Sequence, residues 1–195
     1  GESLTVHADG RLERRAWWSL ADHIGSAPLG NTAAPYVERY AELLQQVTQA
    51  HLQRDVGAGL KLSGGLDSSL LASIVARVDR DLPCFSIVDH GSVVSGDIDA
   101  AYRLTGQLGL RWHPVCFDHR NVVAKLRFDI DSFEQAVWMM DSPRFDLEWI
   151  FKGEVHRLAK SMYPGLKVML IGQGADEFAG GYSHRMDAPY ADWAG

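Results

Sequence analysis

The sequence predicts an α/β fold, a doubly wound parallel sheet preceded by a short β-hairpin. Three observations support this prediction. Apolar strand-like segments alternate with helix-like segments from residue 59 onward, and two of the strand-like segments end in glycine-rich turns. The 195 residues, 46% of them hydrophobic, are also enough to bury one full core. Such alternation is typical of a parallel sheet covered by helices on both faces.

The first part of the chain has a different pattern. Residues 4–18 form two alternating segments around Asp9 and Gly10, which is a hairpin signal. Residues 25–35 are rich in Gly, Ala, Pro and Asn, and residues 36–52 then have apolar side chains at helical spacing. We therefore expect a hairpin at residues 1–20, a linker at 21–35 and the main domain at 36–195. The predicted helical face consists of Tyr40, Leu43, Leu44, Val47 and His51.

The main domain has a predicted order of strands and helices. A helix at residues 68–78 would present Leu70, Leu71, Ile74, Val75 and Val78 on one face. Strands are predicted at residues 59–62, 84–88, 112–117 and 167–171, and further helices at 98–108, 121–130, 133–140 and 147–161.

Composition limits the classes of partner. Lys and Arg total 19 against 25 Asp and Glu, a formal net charge of -6, which argues against nucleic acid or an anionic membrane. No apolar run approaches the roughly 20 residues of a membrane span. Cys84 and Cys116 lie in apolar runs and are predicted to be buried free thiols of a reducing compartment, so we expect a cytoplasmic protein. The histidines lack metal-ligand spacing.

The first glycine-rich turn lies between a predicted strand and a predicted helix. Backbone N–H groups, hydroxyls and a helix N-terminus would converge there, and together they favour an anion. Asp67 would repel a phosphate unless a cation bridged the two, which implies Mg²⁺. The competing interpretation is a helix capped by Ser or Asp. The residues concerned are Ser63, Gly64, Gly65, Asp67, Ser68 and Ser69.

The second glycine-rich turn follows the last predicted strand. It contains Ile171, Gly172, Gln173 and Asp176. Strand ends of an open parallel sheet meet at one crevice, so both turns can face one nucleotide. The competing interpretation is that Asp176 is a helix cap and that Gly180 and Gly181 end the helix.

Both turns resemble those of a known family. The run Ser-Gly-Gly-Leu-Asp-Ser-Ser at residues 63–69 is similar to the signature loop of the ATP pyrophosphatase superfamily. The run from Gly172 to Tyr182 resembles the Gly-Glu-Gly-Ala-Asp-Glu-Leu-Phe-Gly-Gly-Tyr segment of asparagine synthetases. The resemblance implies an adenine nucleotide α hydrolase-like fold, with a hairpin left from a glutaminase domain. No Gly-Lys-Ser/Thr loop is present to supply a lysine for a γ-phosphate. The resemblance therefore implies adenylyl transfer, with pyrophosphate as the leaving group, in preference to phosphoryl transfer.

The resemblance also implies roles for individual residues. Leu62 and Ile87 would contact adenosine, and the first turn together with Gly172 would hold the phosphates of ATP. Ile171 would also belong to the ATP site, and Asp67 and Asp176 would bind the magnesium-pyrophosphate. The expected reaction is adenylation of a small carboxylate, aspartate by default, with nitrogen from a glutaminase domain or free ammonia. Gln173 stands where the family has a glutamate, and it is the predicted catalytic position.

Several alternatives stay open at this stage. The chain begins Gly-Glu-Ser and lacks the N-terminal cysteine that glutamine hydrolysis needs in this family, so we expect a fragment that carries the nucleotide site. Other enzymes with this loop include NAD and GMP synthetases and tRNA thiolases. A lactam or peptide cyclase and a non-catalytic nucleotide-binding module are further possibilities, and a homodimer is possible.

Overall fold

The computed structural model describes residues 1–23, 32–116, 134, 137, 138, 140 and 147–179. The chain divides into two compact units, Gly1–Leu44 and Gln45–Gly195. The helix predicted at residues 121–130 and half of the residues of the one at 133–140 lie outside the described residues. Within these limits, no helix is both long enough and apolar enough to cross a lipid bilayer.

The first unit contains the predicted hairpin. Strands β1 (Glu2–Val6) and β2 (Leu12–Ala16) pair antiparallel, and a 3₁₀ helix follows at Leu20–His23. Gly10 has a φ of 83° in the connecting turn, which a glycine adopts at little cost. The hairpin prediction is confirmed.

Helix α1 (Ala34–Leu52) confirms the predicted helix but not its predicted face. Tyr40 and Val47 are 49% and 50% exposed, whereas Thr48 and Leu52 are buried. Thr48 and Leu52 lie one helical turn apart, and Leu52 belongs to the core of the second unit. The buried residues of α1 therefore lie in its last turns, and the spacing of apolar residues did not predict this face.

The second unit is built on a parallel sheet. Its described strands run in the order β5-β4-β3-β6, and every pairing among them is parallel. The strands are β3 (Gly57–Lys61), β4 (Cys84–Val88), β5 (Trp112–Cys116) and β6 (Leu166–Leu170). The helices are α2 (Leu66–Val78), α3 (His90–Ser95), α4 (Asp97–Leu108), α5 (Leu147–Met162) and α6 (Ala175–Ala179). The sequence did not predict α3, and it indicated a helix at α6 only in the competing interpretation of the second turn.

Two core clusters cover opposite faces of this sheet. Neighbouring residues of β4 belong to different clusters, Cys84 to the first and Phe85 to the second. Since successive side chains of a strand point to opposite faces, helices cover both sides of the sheet. The first cluster includes residues of α2 and α4, and the second includes Val155 and Ala159 of α5. The prediction of a doubly wound α/β fold is confirmed.

The predicted face of α2 was partly wrong. Leu70 and Val78 are 42% and 45% exposed, while the small residues Ala72 and Ala76 are buried. Alanines one turn apart let a helix backbone approach a sheet closely, so the helix is rotated toward them. Val75 is the predicted residue that is buried on this face.

The two cysteines differ in environment, which corrects one prediction. Cys84 is buried in the first core cluster, and burial raises the pKa of its thiol to about 12. Cys116 is exposed, because it is the last residue of β5, beyond the buried Val115. The apolar run around Cys116 therefore did not indicate burial of its thiol.

We expect the two thiols to react at different rates. In the folded chain near pH 8, a maleimide should label Cys116 at least 100-fold faster than Cys84, because thiolate character and access control reactivity. Mass spectrometry of digested samples would measure both rates, with urea-unfolded chain as the control in which both thiols label. Equal rates in the folded chain would contradict the burial of Cys84.

Candidate functional site

The first glycine-rich turn leaves the carboxyl end of β3 and is organised by one hydroxyl. The Oγ of Ser68 accepts hydrogen bonds from the N–H groups of Ser63 (3.2 Å) and Gly64 (3.3 Å). It also lies 2.9 Å from the Oγ of Ser63, which in turn accepts from the N–H of Gly65 (3.3 Å). Three consecutive N–H groups therefore point into the turn, where the hydroxyls of Ser63 and Ser68 accept them, and the same donors would favour an anion placed there.

The competing interpretation of this turn, a helix capped by Ser or Asp, does not describe α2. The N-cap residue is Gly65, and no side chain makes the capping hydrogen bond. Asp67 is the second residue of α2 and is half-buried, and the Ser69 Oγ donates to the Gly64 carbonyl (3.3 Å). The N-terminus of α2 thus presents its partial positive charge without a side-chain cap.

Gly64 fits this turn tightly against α4. Its φ is 98°, in the left-handed region, and a Cβ placed there would lie 1.8 Å from the carbonyl oxygen of Asp97. No side chain can be accommodated at that distance from a backbone atom. Gly64 therefore fixes the turn against the first residue of α4.

The second glycine-rich turn lies directly against the first. β6 pairs with β3 in parallel, so both turns leave the same edge of the sheet. A Cβ at Gly172 would lie 3.2 Å from the Ser68 nitrogen and 3.3 Å from the Asp67 Cβ. Asp176 is the second residue of α6 and is half-buried, so it is not the cap of that helix. The structure therefore brings together the two turns that the sequence singled out.

Four other predicted site residues lie around these turns in different environments. Leu62 is fully buried in the first core cluster, so its side chain supports the turn from within the core. Ile87 is half-buried near the end of β4 and packs on the second cluster. Ile171 is 47% exposed, and Gln173 is exposed between Gly172 and Gly174. Of the residues predicted to contact adenosine, Ile87 is the one with accessible side-chain surface.

Sequence reasoning missed two residues beneath the first turn. The Oγ of Ser86 donates to the Leu62 carbonyl (2.5 Å) and accepts from the Nε1–H of Trp112 (2.7 Å). Ser86 is 1% exposed. The sequence feature that could have indicated Ser86 is its single hydroxyl within an apolar strand, because a buried hydroxyl needs hydrogen-bond partners.

Basic groups lie beside the first turn. Burial and then the positive charges of Lys61 and Lys152 lower the pKa of His156. Lys61 ends β3 and directly precedes Leu62, while Lys152 and His156 lie one turn apart on α5. These basic residues therefore lie close enough to interact, on the face of the sheet that α5 covers.

The acidic residues of the two turns suit a metal cation that also takes oxygen ligands from a bound phosphate. In the described part of the chain, no group of three or more His, Cys, Asp or Glu residues could hold a metal ion. Mg²⁺ bound together with phosphates uses one or two carboxylates, and Asp67 and Asp176 flank the joined turns. This donor set fits a magnesium-phosphate ligand.

A parallel sheet with adjoining glycine-rich turns at its carboxyl edge defines an α/β nucleotide-binding domain. The family model for asparagine synthase matches residues 39–195, which is more than half of the chain. The chain belongs to the asparagine synthase family.

Individual relatives agree with this membership. A glutamine-hydrolysing asparagine synthetase 2 of Bacillus subtilis (strain 168) is 34% identical over 92% of this chain and 24% of its own length. The amidase chyE of Penicillium rubens is 26% identical over 93% of this chain and 28% of its own length. The chain thus spans about a quarter of the length of these relatives.

A solved structure of an NH3-dependent NAD synthetase from Campylobacter jejuni is 17% identical, with a TM-score of 0.44 over 74% of this chain and 60% of its own.

The packing of Gly64 gives a stability prediction. We expect Gly64→Ala to destabilise the chain by several kcal/mol more than Gly96→Ala, because both have positive φ but a Cβ at Gly96 would meet nothing within 4 Å. The strain shared by the two substitutions is about 1–2 kcal/mol. Urea unfolding of both variants would measure the difference, and equal losses would contradict the contact between Gly64 and Asp97.

Proposed function

We propose that this chain binds ATP across its two glycine-rich turns and adenylates a carboxylate, with pyrophosphate as the leaving group. At the level of the family, the chain belongs to ATP-dependent amide-forming ligases. The observation that supports the proposal most is the contact of Gly172 with Asp67 and Ser68, which puts two anion-favouring turns at one point. One triphosphate can span both turns.

The turns match the charge that develops in this reaction. A carboxylate oxygen attacks the α-phosphorus, the bond from that phosphorus to the α,β-bridging oxygen breaks, and the leaving pyrophosphate takes up negative charge. N–H groups of the first turn and the uncapped N-terminus of α2 are donors that can stabilise that charge. Because these donors belong to a packed backbone, they need little reorganisation during the reaction.

Amide formation would complete the reaction. An amine nitrogen attacks the acyl carbon of the adenylate, AMP leaves, and the nitrogen loses a proton. Mg²⁺, when bound with the nucleotide, neutralises phosphate charge, and Asp67 and Asp176 are the residues that would hold it. Aspartate is the default carboxylate, and a glutaminase domain or free ammonia is the default source of nitrogen.

The experiment that tests the proposal is ATP-pyrophosphate exchange with a panel of carboxylic acids, performed on the protein at its natural length. Incorporation of labelled pyrophosphate into ATP that depends on one acid would support adenylation and identify the acid. Tight ATP binding without exchange for any acid would favour the non-catalytic nucleotide-binding module.

The two carboxylates give the first prediction for activity. Asp67→Asn and Asp176→Asn should each reduce pyrophosphate exchange by about 100-fold or more, since each removes a charge that would hold the cation near the leaving group. Asp99→Asn is the matched control, because Asp99 forms an exposed ion pair with Arg103 (2.7 Å) on α4.

The control variant should keep wild-type exchange. All three variants should keep the wild-type free energy of unfolding within about 1 kcal/mol, because none of the three side chains belongs to the buried core. Wild-type exchange in both Asp67→Asn and Asp176→Asn would refute the assignment of the metal ligands.

Gln173 favours a second candidate function, a ligase that makes an amide other than asparagine. It is exposed at the joined turns, where the family has a glutamate, and an amide cannot act as a base near neutral pH. The natural acceptor or donor would then differ from ammonia and aspartate, as in a lactam or peptide cyclase. The adenylation step would be unchanged.

The variant Gln173→Glu separates the two candidates. If Gln173 determines the acceptor, the unsubstituted protein should make little asparagine from aspartate and ammonia, and Gln173→Glu should raise that rate about tenfold or more, within the range of general base catalysis. Asparagine formation by amino-acid analysis measures the rate. Efficient asparagine synthesis by the unsubstituted protein, unchanged in Gln173→Glu, would show that Gln173 does not determine substrate.

A further inference from the structure

A chain of hydrogen bonds links β5 and β4 to Leu62, the residue that follows β3 and precedes the first glycine-rich turn. The indole Nε1–H of Trp112 on β5 donates to the Oγ of Ser86 on β4 (2.7 Å), and this Oγ donates to the carbonyl of Leu62 (2.5 Å). An indole nitrogen can only donate and a carbonyl can only accept, so the direction of both bonds is fixed. The chain ends on the last carbonyl before the turn begins.

That carbonyl belongs to the first peptide unit of the turn. In a trans peptide, the C=O and the following N–H point in opposite directions. With the Leu62 carbonyl held by Ser86, the N–H of Ser63 points the other way, toward the Ser68 Oγ at 3.2 Å. The orientation of one peptide plane therefore decides whether the turn receives an N–H donor or a carbonyl oxygen at this point.

The surroundings make this orientation depend on the chain of bonds. Leu62 and Ser86 are 0% and 1% exposed, so water cannot replace a lost partner of the Leu62 carbonyl. The ring of Trp112 is itself packed against Tyr102 of α4, with centroids 5.7 Å apart. Trp112 is thus fixed by α4, and it fixes the hydroxyl of Ser86 in turn.

We propose that Ser86 and Trp112 are positioning residues that lock the Leu62–Ser63 peptide with its N–H facing the phosphate-binding turn. The identity of the ligand rests on the proposed function, whereas the fixed orientation of the peptide rests on the hydrogen bonds that join Trp112, Ser86 and Leu62. Neither residue touches the nucleotide. Their effect is to keep a carbonyl dipole, which would repel phosphate, out of the anion nest.

The test compares Ser86→Ala, Trp112→Phe and their double variant with Tyr163→Phe. Tyr163→Phe is the matched control because it removes the 2.7 Å bond between the Tyr163 hydroxyl and His113, the residue after Trp112, on the opposite face of β5. Calorimetric titration with magnesium-ATP and with magnesium-pyrophosphate gives the dissociation constants, and urea unfolding gives the stability of each variant.

We expect Ser86→Ala and Trp112→Phe each to weaken binding of both ligands about tenfold, a change typical of one lost hydrogen bond near a charged group. The double variant should bind no more weakly than Ser86→Ala, because Trp112 acts through Ser86. Tyr163→Phe should lower stability and leave both dissociation constants within twofold. The result that overturns the lock is weakening no greater in Ser86→Ala and Trp112→Phe than in Tyr163→Phe.

Amide hydrogen exchange at Ser63 tests the lock without any ligand. Exchange of the Ser63 N–H should become about tenfold faster in Ser86→Ala and Trp112→Phe and stay unchanged in Tyr163→Phe. If the unsubstituted chain binds neither ATP nor pyrophosphate, the proposed function fails while this measurement still decides the lock. Unchanged Ser63 exchange in Trp112→Phe, the milder substitution of a half-exposed residue, would refute it.

Discussion

The hydroxyl of Ser68 is the contact on which the candidate site depends. It accepts from the N–H groups of Ser63 and Gly64 and donates within the same turn, so one buried side chain sets the direction of the turn's donors. Ser68 lies in the first turn of α2, and Gly172 of the second turn packs against its backbone nitrogen. A change in the position of this residue would therefore alter the anion nest, the start of α2 and the junction of the two turns together.

Charge at the site follows from the backbone and from a few side chains. N–H groups and the uncapped N-terminus of α2 attract an anion, while Asp67 and Asp176 oppose one unless a cation is present. This combination suits a magnesium-bound polyphosphate better than a free carboxylate. In the proposed function, these local groups would let a chain with a formal net charge of -6 hold a highly anionic nucleotide.

The sequence predicted the strands and the two turns well because both depend on local patterns. β4 was predicted at its observed bounds, and the parallel sheet follows from alternation of strands and helices. The buried faces of α1 and α2 were less predictable, since Thr48, Ala72 and Ala76 are buried by tertiary packing that apolar spacing does not report. The sequence did not indicate the partners of Ser86, because its hydroxyl meets the Leu62 carbonyl 24 residues away and the Trp112 indole 26 residues away along the chain.

The binding of one triphosphate across both glycine-rich turns can be tested by a crystal structure with Mg²⁺ and α,β-methylene-ATP, whose α,β linkage resists cleavage. We expect the β- and γ-phosphates between the Ser63 to Ser69 turn and Gly172, with the cation between them and Asp67 or Asp176. A triphosphate bound elsewhere on the chain, with both turns unchanged and in contact with no ligand, would rule out this binding mode.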